Sequence, residues 1–373
     1  MKRYRKKRGA RRALILLGVL SVLPFAGRGW SVGLPYLEAA AEKLAVWSAE
    51  ATLPEGGKAL LRRELLSSES ETAPLPQVAE PGELPAPAPT DSSEKQESSA
   101  VPERPADAGT IVRKNYAGSA SSIQFELQNG GWVKNLTDHP ASEVQAVGAK
   151  LPAFTVAKNG EPQVLIMHTH TTESYERQTL DWYDPGFNSR TTDTQYNVCR
   201  VGDEIEKQLQ AAGIGVLHDR TLHDYPTFPG CYDRSAVTVQ DYLKKYPSIR
   251  VVLDVHRDAI EQKDGTRIAP VAEVNGKNTA QVMIISGCDD GTMNYPNYFE
   301  NFKLAALLQG QMEADYPGLA RPILFDYRKY NQHLTTGSLL LEMGGHANSM
   351  EEVLYAGELV GKSLARALEK IAE

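Results

Sequence analysis

The stretch that decides the fold is Pro162 to Tyr175, which reads PQVLIMHTHTTESY. Its first part, Val164 to Met167, is a short continuous apolar run, which is typical of a strand buried on both faces in a mostly parallel sheet. The run then ends in two histidines and a glutamate, His168, His170 and Glu173. Ligands of an open α/β sheet bind beyond the carboxyl ends of its strands, so the sequence predicts a site at this edge.

The charge of the chain is unevenly distributed. Its 373 residues carry a net charge of -7, yet eight basic residues lie among the first twelve. Without those eight charges the remainder has a net charge of -15. Nucleic-acid binding depends on Lys and Arg contacts to phosphates, so a body this acidic argues against a nucleic-acid partner. The three cysteines are widely spaced and form no C-x-x-C pair, which indicates neither a thiolate metal site nor a disulfide framework.

Residues 1–34 have the pattern of a cytoplasmic basic cluster followed by a membrane anchor. An uninterrupted apolar run extends from Ala13 to Gly27, and a weaker apolar character continues to Leu34. The positive-inside rule predicts a single-pass protein with a cytoplasmic N-terminus and an extracytoplasmic body. The apolar run of 15 residues is short for a spanning helix, so a cleaved signal peptide is the alternative.

Residues 35–109 are expected to separate the membrane from a folded domain. The first half, to about residue 70, reads as a polar, moderately helical juxtamembrane spacer. The second half is dominated by Pro, Ser, Glu and Ala and has no aromatic residue. Such a segment buries too little apolar surface to offset its chain entropy, so we expect a disordered linker that its prolines keep extended.

Residues 110–373 are expected to form one catalytic domain. Helical patterns follow the first apolar strand and alternate with further apolar strands. The sequence predicts a helix over Val237–Tyr246 and strands over Arg250–Val255, Gln281–Ser286 and Ser338–Leu341. This alternation predicts an α/β fold with a mostly parallel, twisted sheet flanked by helices.

Three of the predicted strands end in groups that suit one metal site. They are followed by the HTHTTE run at 168–173, by His256 and by Glu342. A single histidine at a strand end more often makes a local hydrogen bond, but three such ends together favour a metal. Zinc binds mixed imidazole and carboxylate ligands and keeps one position open for water when it is catalytic. Hydrolysis needs a further carboxylate as general base and later acid, and Glu342, beside two glycines, is the natural candidate.

Four motifs together resemble the stage II sporulation protein P family over roughly residues 115 to 373. They are HTHTTESY, NVCRVGDEIEKQL, YPSIRVVLDVHRDAI and YNQHLTTGSLLLEMGG. The resemblance implies an amidase-like fold and an N-terminally anchored peptidoglycan hydrolase, related to the zinc N-acetylmuramoyl-L-alanine amidases.

The resemblance also implies roles for individual residues. His170 and His256 match the two histidine ligands of the amidases, and Glu342 matches their catalytic glutamate. Either Asp193 or Glu173 completes the metal site, and the sequence leaves both open. His168 lies two residues before His170, on the same face if the strand continues, so it is either a ligand or a residue that orients the site.

Two further residues are candidates for binding substrate. Arg257 follows a proposed ligand and has the bidentate geometry that suits a carboxylate, although a salt bridge with Asp254 or Asp258 is an equal alternative. His333 precedes the last apolar strand and is a candidate for contact with the peptide stem.

The function that the resemblance implies is cleavage of the amide between N-acetylmuramic acid and L-alanine, with a second endopeptidase activity on cross-links. It further implies septal wall degradation and engulfment during sporulation, at the cell membrane, alongside the stage II sporulation proteins D and M. Two other functions fit the same fold. One is a non-catalytic scaffold that binds the cell wall, and the other is a different extracytoplasmic metallopeptidase.

Overall fold

The computed structural model describes residues 102–373, which belong to a compact unit spanning Ser93–Glu373. The predicted basic cluster, the anchor and most of the predicted linker lie outside the described residues. Residues 102–108 have no regular structure beyond one turn, and the first strand begins at Gly109. Across residues 102–373, no helix is both long and apolar enough to cross a membrane.

The described chain contains strands, α-helices and a short 3-10 helix at Gln332–Leu334. The strands are β1 Gly109–Lys114, β2 Gln124–Glu126, β3 Trp132–Asn135, β4 Pro162–Met167, β5 Trp182–Tyr183, β6 Gly215–His218, β7 Val251–Asp258, β8 Arg267–Val274, β9 Lys277–Ala280, β10 Val282–Cys288, β11 Ile323–Tyr327 and β12 Ser338–Gly345. The helices are α1 Ala141–Gly148, α2 Val198–Ala211, α3 Cys231–Lys245, α4 Tyr298–Asp315 and α5 Met350–Glu369. Helix α3 therefore begins six residues before the predicted helix at Val237.

Eight strands form the main sheet in the order β2-β3-β11-β10-β12-β7-β4-β6. Strands β6, β4, β7 and β12 are parallel to one another, whereas β10, β11 and β3 run in the opposite direction. Strand β2 is antiparallel to β3. The predicted α/β class is confirmed, but the prediction of a mostly parallel sheet is wrong, because the sheet is mixed.

The reversal within the sheet follows from the connection between β7 and β10. Strands β8 and β9 form an antiparallel hairpin between them, and β10 starts only two residues after β9 ends. The hairpin brings the chain to the carboxyl end of β12, where Gly344 N donates to Gln281 O at 3.1 Å. Strand β10 therefore enters the sheet antiparallel to β12, with Val282 opposite Met343.

A second sheet has the order β5-β1-β8-β9. Strand β1 is parallel to β8 and antiparallel to β5. Ile111, Tyr183 and Ala269 of this sheet pack together with Ala347, which lies in the turn after β12. The small sheet is thereby tied to the end of β12 from which Glu342 projects.

Strand β4 is buried on both faces, as its apolar run predicts. Val164 and Ile166 belong to the large core that helices α2, α4 and α5 share, whereas Leu165 and Met167 pack with residues of α3. Full burial of such a side chain contributes about 2 kcal/mol. Two helices on the core face approach closely at Gly357, where a Cβ would lie 3.1 Å from Val201 O. This packing holds the carboxyl end of β4 in a rigid frame.

Candidate active site

The candidate site lies where β4 and β7 end side by side. The two strands are parallel neighbours, with Met167 opposite Asp254, so the residues that follow them meet at one edge of the sheet. His170 and Glu173 belong to the loop after β4, in a turn where Glu173 N donates to His170 O at 3.0 Å. His256 comes from β7 itself.

His170, Glu173 and His256 form the first cluster, in which one ligand atom from each residue lies within 4.8 Å of the others. The Nδ1 of His170 is 3.3 Å from one carboxylate oxygen of Glu173, and the Nδ1 of His256 is 3.5 Å from the other. The two imidazole rings meet edge to face at 4.7 Å. Glu173 and His256 are buried, while the His170 side chain keeps 17% exposure. The cluster is therefore open to solvent on the His170 side.

The electrostatics of the first cluster favour charged forms in spite of burial. Burial alone would raise the pKa of Glu173, but hydrogen bonds from His170 and His256 hold it well below its usual value. Burial likewise opposes the charged form of His256, yet Asp254 and Glu173 hold the pKa of this imidazole well above its usual value. Glu173 and Asp254 together thus favour positive charge at this position.

The donor set of the first cluster fits zinc. Two imidazoles and one carboxylate are a catalytic zinc set that leaves a fourth position open. The second nitrogen of His256, Nε2, is 2.8 Å from Asp254, which leaves Nδ1 as the nitrogen that faces Glu173. Asp254 is itself held by Thr169, whose N and Oγ1 donate to its two oxygens at 2.8 and 2.7 Å. A carboxylate behind a histidine is the arrangement that orients metal ligands; here Asp254 and His256 are in ion-pair contact, without the alignment of a hydrogen bond.

Glu342 lies beside this cluster on the neighbouring strand. Strand β12 pairs in parallel with β7 so that Glu342 and His256 are direct Cα partners, and the register shifts immediately after Glu342. Its Oε2 is buried and has no hydrogen-bond partner among residues 102–373. Burial, helped by the carboxylates of Asp258 and Glu173, raises the pKa of Glu342 to about 8, although His256 and Arg321 act in the other direction.

Asp193 and His168 lie apart from the first cluster. Asp193 is exposed in a turn, where its Oδ1 accepts from Gln195 N at 3.0 Å. The strand ends at Met167, so His168 and His170 do not share a face. The two nitrogens of His168 are 2.8 Å from Val255 O and 2.8 Å from the Nε2 of His218. The structure thus brings Glu173, and not Asp193, to the two predicted histidine ligands.

Arg257 and His333 also lie outside the first cluster. The Arg257 guanidinium is buried and donates to Ser174 O at 2.6 Å and to Ser189 O at 2.8 Å, so it ties the loop after β4 to β7. It forms no salt bridge with Asp254 or Asp258. His333 sits on the 3-10 helix with its ring 6.5 Å from that of Tyr295, and burial lowers its pKa. Their roles in substrate binding stay predictions.

Sequence reasoning missed two features near the site. Asp254 was considered only as a partner of Arg257, although its spacing of two residues from His256 on a strand indicates a shared face. The other is a second cluster of Asp203, Glu206 and His218, whose ligand atoms also lie within 4.8 Å of one another. Its members come from α2 and β6, and no motif in the sequence links them.

A sequence model of the family "Stage II sporulation protein P (SpoIIP)" matches residues 69–367 of this chain. The match covers most of the chain, including both clusters and Glu342. The chain belongs to the stage II sporulation protein P family. The resemblance read from the four motifs is confirmed.

Among curated proteins, the stage II sporulation protein P of Bacillus subtilis (strain 168) is 31% identical over 233 residues. The match covers 60% of this chain and 55% of that protein. The chain thus spans about half the length of the curated relative it matches.

Solved structures that resemble this chain include two amidases. One is the CwlD amidase from Clostridioides difficile in complex with the GerS lipoprotein, at 10% identity and a TM-score of 0.35, covering 56% of this chain and 98% of that one. The other is the N-acetylmuramoyl-L-alanine amidase AmiC2 of Nostoc punctiforme, at 11% identity and a TM-score of 0.33, covering 56% and 96%. TM-scores this low support no argument about function.

Proposed function

We propose that this chain is a membrane-anchored, zinc-dependent peptidoglycan hydrolase with an amidase-like catalytic domain. Its reaction is hydrolysis of the amide between N-acetylmuramic acid and L-alanine. One observation carries the proposal: the half-buried Glu342, whose buried Oε2 has no hydrogen-bond partner among residues 102–373, is the strand partner of His256. A metal-ligand set with an acid of raised pKa beside it is what amide hydrolysis requires.

Each residue of the site has a distinct task in this reaction. His170, His256 and Glu173 hold the zinc ion, and Asp254 orients His256. A zinc ion held by these residues would supply Lewis-acid chemistry, by which an amide carbonyl is polarised and water becomes more acidic. Glu342 accepts the proton that the attacking water loses and then donates it to the nitrogen of the departing L-alanine.

The pKa of Glu342 suits both halves of this task. A value of about 8 keeps the carboxyl group protonated at neutral pH, as the donation step needs. The positive charge of a bound metal ion favours the carboxylate, as the acceptance step needs. Burial raises the pKa of Glu342, and a bound metal ion would lower it. These opposing effects suit a group that acts first as a base and then as an acid.

Membership in the family supports the wider biological proposal. We expect a second endopeptidase activity on peptide cross-links, and action in septal wall degradation and engulfment during sporulation. The expected location is the cell membrane, with the catalytic domain outside the cytoplasm, and the expected partners besides peptidoglycan are the stage II sporulation proteins D and M.

The test uses the full-length chain in detergent, with zinc content and product release measured on purified peptidoglycan. We expect the wild type to bind zinc and to release new free L-alanine amino termini. Glu342→Gln should keep zinc and lose at least about 100-fold in rate, because the variant can neither accept nor donate the proton. The matched control is Glu126→Gln, which changes an exposed glutamate on β2 and should leave both measurements unaltered.

Other outcomes separate the alternatives. New amino termini that come only from cross-links would identify a metallopeptidase instead of an amidase. Full activity in Glu342→Gln would exclude the proton-transfer role assigned to this residue. Binding of peptidoglycan with no hydrolysis by the zinc-loaded wild type would favour the non-catalytic scaffold.

A further inference from the structure

Phe228 is an exposed aromatic residue beside the candidate active site. Its ring lies 4.9 Å from that of His170 and 5.0 Å from the guanidinium carbon of Arg190, yet 47% of its surface is accessible to solvent. The whole run from Tyr225 to Gly230 is exposed. The exposed part of this ring is therefore accessible to a ligand that binds beside His170.

The backbone on both sides of Phe228 is held in place by one side chain. Arg234, on α3, donates from Nε to His223 O at 2.7 Å and from Nη1 to Pro229 O at 3.1 Å. Its Nη2 donates to Thr227 O. These carbonyls precede and follow Phe228, so the loop presents the ring in a preorganised position. Preorganisation lowers the entropy lost when a ligand binds.

Aromatic rings also lie on another side of His170. Tyr232 is 5.5 Å from the His170 ring and stacks on Tyr330 at 5.4 Å, and both tyrosines are only partly exposed. Tyr330 and Asn331 have φ angles of 43° and 56°, and the Nδ2 of Asn331 donates to Tyr232 O at 2.7 Å. Strained backbone of this kind persists where the surroundings impose it, often at functional sites. His170 is thus flanked by a supported aromatic pair and by the free ring of Phe228.

We infer that Phe228 is a substrate-positioning residue whose solvent-exposed part packs against the sugar ring of the muramoyl group. This inference rests on the proposed function, because the scissile amide joins that sugar's lactyl group to the peptide. The loop from Tyr225 to Gly230 reads YPTFPG and carries no charged side chain, and the neighbouring Arg190 is already paired with Glu173 and Asp224. A pyranose ring is uncharged and has apolar C–H faces, so it matches this surface better than the peptide stem with its carboxylates does.

The experiment compares two soluble probes on the full-length, zinc-loaded protein. One probe is N-acetylmuramoyl-L-alanyl peptide, and the other is the same peptide with a lactyl group that lacks the sugar. Phe228→Ala should raise KM for the first probe by roughly 10-fold, with kcat and zinc content unaltered. It should leave the kinetics of the second probe unchanged. Phe228→Tyr keeps the ring and should behave as wild type.

Tyr225→Ala is the matched control, since Tyr225 is exposed at 56% on the same loop. It should match the wild type on both probes. An equal loss on both probes in Phe228→Ala, or a fall in its zinc content, would show that the ring only supports His170 and would overturn the inference. Unchanged kinetics in Phe228→Ala, or an equal effect of Tyr225→Ala, would overturn it as well.

A binding measurement separates failure of this inference from failure of the proposed function. If the wild type hydrolyses neither probe, the proposed reaction is wrong. Calorimetric binding of the sugar-bearing probe in the Glu342→Gln background then decides the inference alone. Weaker binding on adding Phe228→Ala would support contact between Phe228 and the sugar, and unchanged binding would exclude that contact.

Discussion

The first cluster has two histidines and one acid, and the second has one histidine and two acids; in both, the ligand atoms lie within 4.8 Å of one another, but the surroundings differ. In the first, His170, Glu173 and His256 are backed by Asp254, and the Oε2 of Glu342 nearby is unpartnered. In the second, Asp203 and Glu206 are bridged by Arg220, with its Nη2 at 2.5 and 3.1 Å from their carboxylates. Each cluster therefore contacts an arginine: Arg190 Nη2 lies 3.3 Å from the single carboxylate of the first cluster, whereas Arg220 bridges both carboxylates of the second.

The histidine of the second cluster adds to this difference. His168 donates from Nδ1 to Val255 O, so its Nε2 accepts a hydrogen bond from the Nε2 of His218. The Nδ1 of His218 faces Asp203 and Glu206 at 3.3 and 3.2 Å, and carboxylates only accept. Both nitrogens of His218 are therefore in hydrogen-bond contact with protein groups. Ligand spacing alone does not make a metal site.

The largest expected effect is on zinc content. His256→Ala should lower zinc affinity by more than about 100-fold, because it removes a ligand and leaves two donors. His218→Ala, the matched change in the second cluster, should keep one zinc ion per chain. Zinc would be measured by elemental analysis after dialysis against a competing chelator. Loss of zinc in His218→Ala with retention in His256→Ala would reverse the assignment of the two clusters.

The next effect is on the pH dependence of stability in the metal-free protein. Glu342 has a folded-state pKa of about 8, above its unfolded value, so the folded state binds the extra proton and loses stability as pH rises toward 8. Glu342→Gln removes that loss. At about 1.4 kcal/mol per pKa unit, the variant should gain a few kcal/mol over the wild type between pH 5 and pH 8.

In the second cluster, Glu206→Gln should change the pH dependence of stability in the opposite direction. The hydrogen bond from His218 lowers the pKa of Glu206, so its stabilising contribution is present above its unfolded pKa and is lost as pH falls through the folded value. This variant should be less stable than the wild type by the same amount at pH 6 and pH 8, with the difference vanishing in acid. Chemical denaturation at several pH values measures both. A constant offset for Glu342→Gln would contradict the burial argument.

The smallest effect concerns the carboxylate behind the ligand. Asp254→Asn keeps the shape of the side chain but weakens its hold on His256, so zinc affinity should fall by about 10- to 100-fold. Asp203→Asn, the matched change, should leave zinc affinity unaltered. Competition titration with a chromophoric chelator would measure the zinc affinity of both variants. Equal affinities would show that Asp254 does not contribute to zinc binding.

The sequence pointed to the edge of the sheet but left the acidic ligand open. The loop from His168 to Asn197 folds back on itself through bridges between Glu173 and Arg190 and between Ser174 and Asn197. This fold turns Glu173 inward and leaves Asp193 in an exposed turn. No periodicity describes such a loop, so sequence spacing ranked the two acids equally. That either residue binds zinc stays a prediction.

The sequence also did not determine which strands run parallel and which run antiparallel. The apolar runs of β10 and β12 look alike, and each was expected to continue a parallel sheet. Their antiparallel pairing depends on the β8–β9 hairpin, which ends at the carboxyl end of β12. A connection of this length permits either a crossover or a reversal, and tertiary packing chooses between them.

By itself, the sequence determined the family, the α/β class and the apolar strands near which His170, His256 and Glu342 lie, because apolar runs and motifs are local properties. The strand ends were predicted wrongly, since β7 continues to Asp258 and β12 to Gly345, so His256 and Glu342 lie within their strands. Only the tertiary structure decided that Glu173 joins the two histidines and that Asp254 lies behind His256. It also decided that Arg220 forms salt bridges with the acids of the second cluster. Those relations join residues that are separate in the chain. Their distances depend on strand register and loop packing, to which no local pattern corresponds.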